Sequence, residues 1–327
     1  MIIDDNLNTP QGISLSSDDG TYLSVCGVGT CNVYQRNGTL SYSQNPIFTL
    51  DTSDFQTNPS KSLLSSDGKY LVTSFWTSKT ANVYQRTGPS TFDTNPIFVV
   101  PNATDISLSS DGMYLAITTG TRYRANVYQR TGPSTFDPTP IFVTSTGTRR
   151  ANQVSLSSDG TYLAITSYNT TTKFGTANVY QRTGPSTFDP NPIFVVPGNM
   201  DYGKVSLSSD GTYLALIGSY TATGTTANVY QRTGPSTFDS NPIFTVPNAT
   251  TMSFSSNGNY LAFSSDTSNS VNVYKRTGPS TFNPTPVFIV SNNLVGSSDI
   301  SMSSDGSYLA VANWEGNTAN VYVCPFA

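Results

Sequence analysis

Residues 107–116 read SLSSDGMYLA, and residues 125–130 read ANVYQR. The first stretch alternates small polar and apolar residues on both sides of an Asp-Gly pair, which predicts two half-buried β-strands. The Asp-Gly pair predicts a tight turn between them, because glycine readily adopts the positive φ that such turns need. The second stretch predicts a third strand. Together they predict an antiparallel meander.

The same unit occurs seven times along the 327 residues. The glycine of the turn lies at Gly20, Gly68, Gly112, Gly160, Gly211, Gly258 and Gly306. The tyrosine of the Asn-Val-Tyr segment lies at Tyr34, Tyr84, Tyr128, Tyr180, Tyr230, Tyr274 and Tyr322. Six units continue to a Pro-Ile-Phe or Pro-Val-Phe segment, which ends at Phe48, Phe98, Phe142, Phe194, Phe244 and Phe288.

Consecutive turn glycines are 44 to 51 residues apart. A period of this size, with about four short apolar segments per unit, is typical of one four-stranded blade of a β-propeller. We therefore predict an all-β fold: a single seven-bladed β-propeller domain over 1–327, with four antiparallel strands (A to D) in each blade. The blades are expected at about 12–50, 61–100, 105–144, 153–196, 204–246, 251–290 and 299–323 plus 1–4.

Blade 3 shows the expected strand limits. Strand A is expected at 106–109, strand B at 114–118, strand C at 125–130 and strand D at 140–143. The seventh unit ends after strand C, whereas the chain begins with the apolar triplet Met1-Ile2-Ile3. We therefore expect 1–4 to supply strand D of the last blade, which closes the ring and removes open sheet edges.

The repeat resembles the Ser-Pro-Asp-Gly-x-x-Leu-Ala segments of WD40-like propeller proteins, over nearly the whole chain. The Trp-Asp and Gly-His pairs of WD40 repeats are absent, so the hydrogen-bonded histidine network of that family is not expected here. Membership of a propeller family implies a shape and does not define a chemistry.

The composition limits which partners and which compartment are expected. The net charge is −4 and only 11% of residues are charged, so neither nucleic acid nor an anionic membrane surface is an expected partner. The first residues carry no basic segment, and no stretch has the apolar length of a membrane span, so a cytoplasmic or virion-associated protein is expected. Cys26, Cys31 and Cys324 form no metal pattern. Cys26 and Cys31 are close enough to pair, but two free thiols are the preferred interpretation.

The residues that most enzymes need are scarce. The chain has no histidine and one glutamate, Glu315, which removes imidazole bases, histidine metal sites and paired-glutamate arrangements. The aspartates of the Asp-Gly turns are expected to cap their own backbone. Strand A is expected to line the central channel with small hydroxyls such as Ser107 and Ser155, without the carboxylate ring that Ca²⁺ would require. We expect no enzymatic activity, no metal and no cofactor.

The loops of a propeller divide between two faces. The A–B turns and C–D loops, which are nearly identical between blades, form what we call the repeated face. The B–C and D–A loops differ between blades and form the variable face, where a specific partner is expected to bind. Its candidate binding residues are basic and aromatic: Trp76, Arg122, Tyr123, Arg124, Arg149, Arg150, Lys173, Phe174, Tyr202, Lys204 and Trp314. Ordinary solvated loops are the alternative interpretation of this set.

The repeated face carries an arginine at the end of strand C in six blades, as at Arg182, and a phenylalanine in each C–D loop, as at Phe188. We expect structural roles for both, with each arginine bound to a C–D loop aspartate and each phenylalanine filling a blade edge.

Three functions agree with these observations. The first is a non-enzymatic interaction scaffold that binds a protein partner through the variable face. The second is a structural assembly component, such as a minor capsid or surface protein of a large virus. The third is a glycan-binding propeller lectin, in which several blades would carry equivalent aromatic and polar pockets.

Overall fold

The chain forms a seven-bladed β-propeller, seen in a computed structural model. The described residues are 2–3, 8–16, 19–38, 41–52, 59–120, 124–145, 149–169, 171–172, 175–197, 201–220, 224–265, 267–291, 294 and 296–326. Within them the regular elements are strands, and none is a helix. The predicted all-β fold of seven blades is confirmed.

Strand A is innermost in each blade and pairs antiparallel with strand B. The A strands are β2 (Asn8–Leu15), β7 (Pro59–Leu64), β12 (Ala103–Leu108), β17 (Arg149–Leu156), β22 (Asp201–Leu207), β27 (Thr251–Phe254) and β32 (Ser297–Met302). The B strands are β3 (Tyr22–Val28), β8 (Tyr70–Phe75), β13 (Tyr114–Thr119), β18 (Tyr162–Asn169), β23 (Tyr213–Tyr220), β28 (Tyr260–Ser265) and β33 (Tyr308–Asn313).

Strand C follows B, and strand D forms the outer rim. The C strands are β4 (Thr30–Gly38), β9 (Thr80–Gly88), β14 (Arg124–Gly132), β19 (Gly175–Gly184), β24 (Gly224–Gly234), β29 (Ser270–Gly278) and β34 (Thr318–Val323). The D strands are β6 (Phe48–Asp51), β11 (Phe98–Pro101), β16 (Phe142–Ser145), β21 (Phe194–Pro197), β26 (Phe244–Pro247), β31 (Phe288–Val290) and β1 (Ile2–Ile3).

Each C–D loop also contains a two-residue strand that the sequence did not reveal. These strands pair with the end of strand C, and they are β5 (Ser41–Tyr42), β10 (Thr91–Phe92), β15 (Thr135–Phe136), β20 (Thr187–Phe188), β25 (Thr237–Phe238) and β30 (Thr281–Phe282). Strand D was expected to begin at Pro140 in blade 3 but begins at Phe142, because Pro140 and Ile141 complete the turn that follows the short strand.

The hydrophobic core lies between neighbouring blades. One cluster joins Ala116, Val127 and Phe142 of blade 3 to Val154 and Ile165 of blade 4. Each blade therefore buries both faces of its central strands, and all six residues of β13 are buried accordingly. The free energy of burial is shared around the ring, which is how a chain with 36% hydrophobic residues sustains seven small sheets.

The chain ends meet in blade 7. Strand β1 pairs antiparallel with β34, with Ile2 opposite Asn320 and Ile3 opposite Ala319. The predicted closure is confirmed for these two residues, whereas Met1 and Asp4 lie outside the described residues. The ring is thus joined by backbone hydrogen bonds between sequence-distant strands.

Replacing Ile2 and Ile3 together with proline tests this closure. Proline has no N–H and cannot complete the ladder, so we expect the variant to lose about 2 kcal/mol of unfolding free energy. It should also self-associate, since β34 becomes an open edge with Val323 already 45% exposed. Urea denaturation and size-exclusion chromatography measure both effects. An unchanged unfolding midpoint in a monomeric variant would contradict the closing role.

Candidate functional site

The repeated face is occupied by contacts between blades. Tyr114, the first residue of strand B in blade 3, donates its hydroxyl to the carbonyl of Pro185 in blade 4 at 2.9 Å. The guanidinium of Arg182 lies 4.5 Å from the centre of the Tyr114 ring. The turn glycine Gly160 lies against the ring, so that an added Cβ would be 2.5 Å from Cδ2. We call this arrangement of tyrosine, glycine, arginine and proline the blade clasp.

Four other tyrosines donate to a proline carbonyl of the next blade in the same way. They are Tyr22, Tyr70, Tyr162 and Tyr213, which bond Pro89, Pro133, Pro235 and Pro279. Between blades 6 and 7 the corresponding contact is made by Phe326. Its ring stacks on Tyr260 with 4.3 Å between ring centres, and its main-chain carbonyl accepts the hydrogen bond from the Tyr260 hydroxyl.

Four arginines of the repeated face bind three backbone carbonyls each; they are Arg86, Arg130, Arg182 and Arg232. Arg182 donates from Nε to Gly160 at 3.0 Å, from Nη1 to Gly184 at 3.2 Å and from Nη2 to Asp159 at 3.0 Å, in each case to the main-chain oxygen. The expected bond to a C–D loop aspartate is therefore wrong for Arg182. The structural role is nevertheless what the contacts show, because the guanidinium holds the turn closed beneath Tyr114.

Two further residues of the C–D loop contact the preceding blade. Ser186 donates to Oε1 of Gln129 at 2.6 Å, and Phe188 stacks on Phe142 at 4.9 Å between ring centres. The repeated loop sequence is thus accounted for by packing between blades.

The turn aspartates cap their own backbone, as expected. Oδ1 of Asp159 accepts hydrogen bonds from the Ser157 hydroxyl at 2.8 Å and the Thr161 amide at 2.9 Å. Partial burial alone would raise the pKa of Asp159, but these bonds, the Thr161 hydroxyl and the nearby Arg182 charge together lower it. At Asp210, too, burial alone would raise the pKa, but hydrogen bonds from Thr212 and Ser208 and the Arg232 charge lower it. These carboxylates stabilise turns and are poorly suited to proton transfer at neutral pH.

The variable face exposes two tryptophans at equivalent positions. Trp76 is 60% exposed and Trp314 is 46% exposed. Each follows the last residue of strand B and opens a four-residue turn, whose last residue, Lys79 or Asn317, has a φ of about 50° (51° and 50°). Trp314 packs on Gly296, where an added Cβ would be 2.2 Å from Nε1. The two blades that carry them, 2 and 7, flank blade 1.

The B–C hairpin of blade 1, between the two tryptophans, is shorter and is closed by a disulfide. Cys26 and Cys31 lie directly opposite each other on β3 and β4, with their Cα atoms 4.0 Å apart, and are bonded. The preferred expectation of two free thiols was wrong, because the short hairpin register places the two residues face to face. Cys324 is buried, and burial together with the Asp305 charge raises the pKa of its thiol to about 12.

The structure describes only some of the basic and aromatic residues that the sequence predicts to bind a partner. Arg124 is exposed at the start of β14, and Arg150 is half-buried in β17. Lys204 lines the central channel. For Arg149 and Tyr202 the structure describes the backbone, in β17 and β22. The other candidates, Arg122, Tyr123, Lys173 and Phe174, lie outside the described residues.

The central channel holds a cavity of about 450 Å³ with charges that the sequence analysis missed. In five blades, the residue four positions before the buried serine that follows strand A lines the cavity; these residues are Lys61, Asp105, Gln153, Lys204 and Asp299. The expectation of a channel lined only by hydroxyls and aliphatic groups was therefore wrong. Strand A of blade 3 begins at Ala103, earlier than expected, and this brings Asp105 into the channel wall.

Two of these charges form an ion pair. Nζ of Lys61 lies 3.1 Å from Oδ1 of Asp105 and also donates to the Ile106 carbonyl at 2.9 Å. The other oxygen of Asp105 accepts from the Val154 amide at 2.8 Å.

Asp299 is half-buried in the channel wall, where it lines the cavity. It accepts from the Ile13 amide at 3.1 Å, and burial raises its pKa despite the nearby charges of Lys204 and Lys61. No group of three or more potential metal-binding side chains is found among the described residues.

The serines of strand A have a structural role. Ser107 accepts from the Leu156 amide at 2.8 Å and Ser155 from the Leu207 amide at 2.9 Å, in each case across to the next blade. The inner edge of each sheet would otherwise present unpaired amides to the channel.

Comparison with known proteins supports the fold. No family model matches the chain, and no curated protein matches its sequence. The β-propeller domain of Cps50 (Swd1) from Myceliophteria thermophila is similar in structure, with a TM-score of 0.73, 12% identity and coverage of 98% of this chain and 97% of that one. Hydrazine synthase of Kuenenia stuttgartiensis is similar with a TM-score of 0.67, 16% identity and coverage of 99% and 98%.

At these identities the likeness shows the fold alone, that of a WD40-like propeller. The second of these proteins is named as an enzyme, so the shared fold does not decide whether a chain is catalytic. Nothing helical in the described part of the chain is long and apolar enough to cross a membrane.

Proposed function

We propose that this chain is a non-enzymatic scaffold that binds a protein partner through its variable face. Propeller folds commonly mediate protein interactions, and the distribution of contacts here favours one face. Side chains that recur on the repeated face contact neighbouring blades, as Tyr114, Arg182 and Ser186 show. The observation that carries the proposal is the exposure of Trp76 and Trp314 on the other face.

Exposed tryptophans are unusual on a solvated surface and are enriched at the centre of protein interfaces, where they anchor binding. Trp76 also borders the channel cavity, beside Lys61. A partner seated across blades 7, 1 and 2 would meet an apolar surface at both ends and charged groups at the channel mouth. Arg124 and Arg150 would lie farther round the same face and would favour an acidic partner surface.

The experiment is affinity capture from native source material with wild type and a Trp76→Ala/Trp314→Ala variant. Truncating two anchoring tryptophans should weaken the binding of a specific partner at least about 30-fold. The matched control is Val99→Ser/Val195→Ser, which removes apolar side chains that are 49% and 46% exposed on strand D. A partner retained equally by all three proteins would exclude the tryptophans as anchors.

A second candidate is a structural assembly component, such as a minor capsid or surface protein of a large virus. The nearly identical repeats and the uncharged surface support it, since 11% of residues are charged. Self-assembly of the purified protein through strand D, lost in the Val99→Ser/Val195→Ser variant and kept in the tryptophan variant, would favour this function over partner docking.

A further inference from the structure

Two cavities lie at equivalent places in the ring. One, of about 300 Å³, lies between blades 2 and 3, and the other, of about 240 Å³, lies between blades 5 and 6. Four lining positions are shared. They are Pro101, Asn102, Asn126 and Tyr128 in the first cavity and Pro247, Asn248, Asn272 and Tyr274 in the second. We call them the paired pockets.

A short repeated sequence accounts for the paired pockets. Pro-Asn-Ala-Thr occurs at 101–104 and again at 247–250, beginning at the last residue of strand D in blades 2 and 5. Asn102 and Asn248 both have positive φ, at 61° and 58°, so the chain turns sharply and leaves the proline and asparagine bordering the gap. The other D strands continue into different sequences.

The polar groups in the paired pockets have unused hydrogen-bonding capacity. Nδ2 of Asn126 donates to the Tyr128 hydroxyl at 3.2 Å, but Oδ1 of Asn126 is buried without a partner. Asn272 and Tyr274 occupy the same two positions in the second pocket. A buried acceptor without a partner is costly, and a ligand hydroxyl that donates to it would recover that cost.

The walls are apolar and mostly uncharged. Pro101, Pro140 and Val143 line the first pocket, where Arg124 is the charged residue; Phe263 and Pro247 line the second, whose described lining carries no charge. These surfaces suit the C–H face of a ring, while the amide and phenol suit its hydroxyls. The volumes lie at or below the usual lower limit for small-molecule sites, about 300 Å³, and therefore fit a single ring.

From these observations we propose that the paired pockets are two equivalent binding sites for a neutral sugar ring, a hexopyranose. The sites are separate from the two exposed tryptophans, because neither Trp76 nor Trp314 lines either pocket. Loss of sugar binding would leave the proposed partner docking intact, and the reverse also holds.

Saturation-transfer NMR of the full chain with a panel of methyl hexopyranosides tests the proposal. At least one glycoside should bind wild type with a dissociation constant on the order of 1 mM. Asn126→Ala/Asn272→Ala should weaken it at least about tenfold. The control is Asn228→Ala, the same position in blade 5, where Oδ1 already accepts from Thr245 at 3.0 Å. That variant should bind as wild type does.

A second variant separates loss of binding from loss of folding. Val143 and Thr267 are exposed residues that line the two pockets, so Val143→Arg/Thr267→Trp should block both without disturbing the core. If a polymer that carries the same glycoside binds more tightly than the monomeric glycoside, the natural ligand is a glycan. If the two bind with equal affinity, the natural ligand is a free sugar. Absence of binding by every glycoside, or undiminished binding by both pocket variants, would overturn the proposal.

Discussion

Replacing Gly160 with alanine is expected to lower the free energy of unfolding by about 3 kcal/mol, whereas the same change at Gly258 should cost about 1 kcal/mol. Both glycines occupy the same position of the A–B turn, with φ of 66° and 65°, so the backbone strain of an added Cβ is equal. At Gly160 that Cβ would lie 2.5 Å from the ring of Tyr114, but at Gly258 its nearest neighbour is 3.8 Å away.

The difference between the two variants therefore measures how tightly the blade clasp is packed. Tyr114 cannot move aside freely, because its hydroxyl bonds Pro185 and its ring lies beneath Arg182. Equilibrium guanidinium denaturation of both variants and wild type gives the two losses. Equal losses would mean that the Tyr114 side chain moves aside at no cost in free energy. The blade clasp would then contribute little to the stability of the propeller.

Much of the architecture could be predicted because its signals are local. The Asp-Gly turn and the alternating strand that follows it identify each blade wherever they occur in the chain. The missing strand D after Val323 and the apolar start of the chain together predicted the closure through Ile2 and Ile3, which the pairing with β34 confirms.

The side-chain contacts of the repeated face and of the channel were harder to predict. Arg182 was expected to bind a carboxylate, but it binds three carbonyls, and a main-chain acceptor leaves no residue signature in the sequence. The channel charges did leave a signal, since Lys61, Asp105 and Asp299 each lie four residues before the serine that follows strand A. That signal was missed because strand A was expected to be too short.

The candidate site was predicted less completely than the fold. The positions of Trp76 and Trp314 followed from the repeat, and the structure shows both exposed. Their role in binding stays a prediction, as does that of the basic residues. Lys204 was assigned to the variable loops but lines the channel, because strand A of blade 5 already begins at Asp201 and therefore includes it.

Two channel aspartates should respond to substitution in opposite directions. Asp105→Leu is expected to lower the free energy of unfolding by about 3 kcal/mol, because it leaves the ammonium of Lys61, 28% exposed, without its carboxylate and the Val154 amide without an acceptor. Asp299→Asn should instead raise stability at neutral pH. An asparagine keeps an oxygen for the Ile13 amide and loses the bond from the Ile300 amide at 3.1 Å, but it removes a charge whose burial is unfavourable.

The pH dependence distinguishes a buried charge from a stabilising ion pair at Asp299. Burial raises the pKa of Asp299 in the folded state, so the carboxylate costs stability above that pKa. The cost disappears as the pH falls below about 3.9, the ordinary aspartate value, because the group is then protonated in both states. The advantage of Asp299→Asn over wild type in urea denaturation should accordingly be present at about pH 7.5 and shrink toward zero near pH 3.5. If the variant is instead less stable at neutral pH, the attraction of Lys61 and Lys204 outweighs desolvation, and the channel charges would act together as one stabilising network.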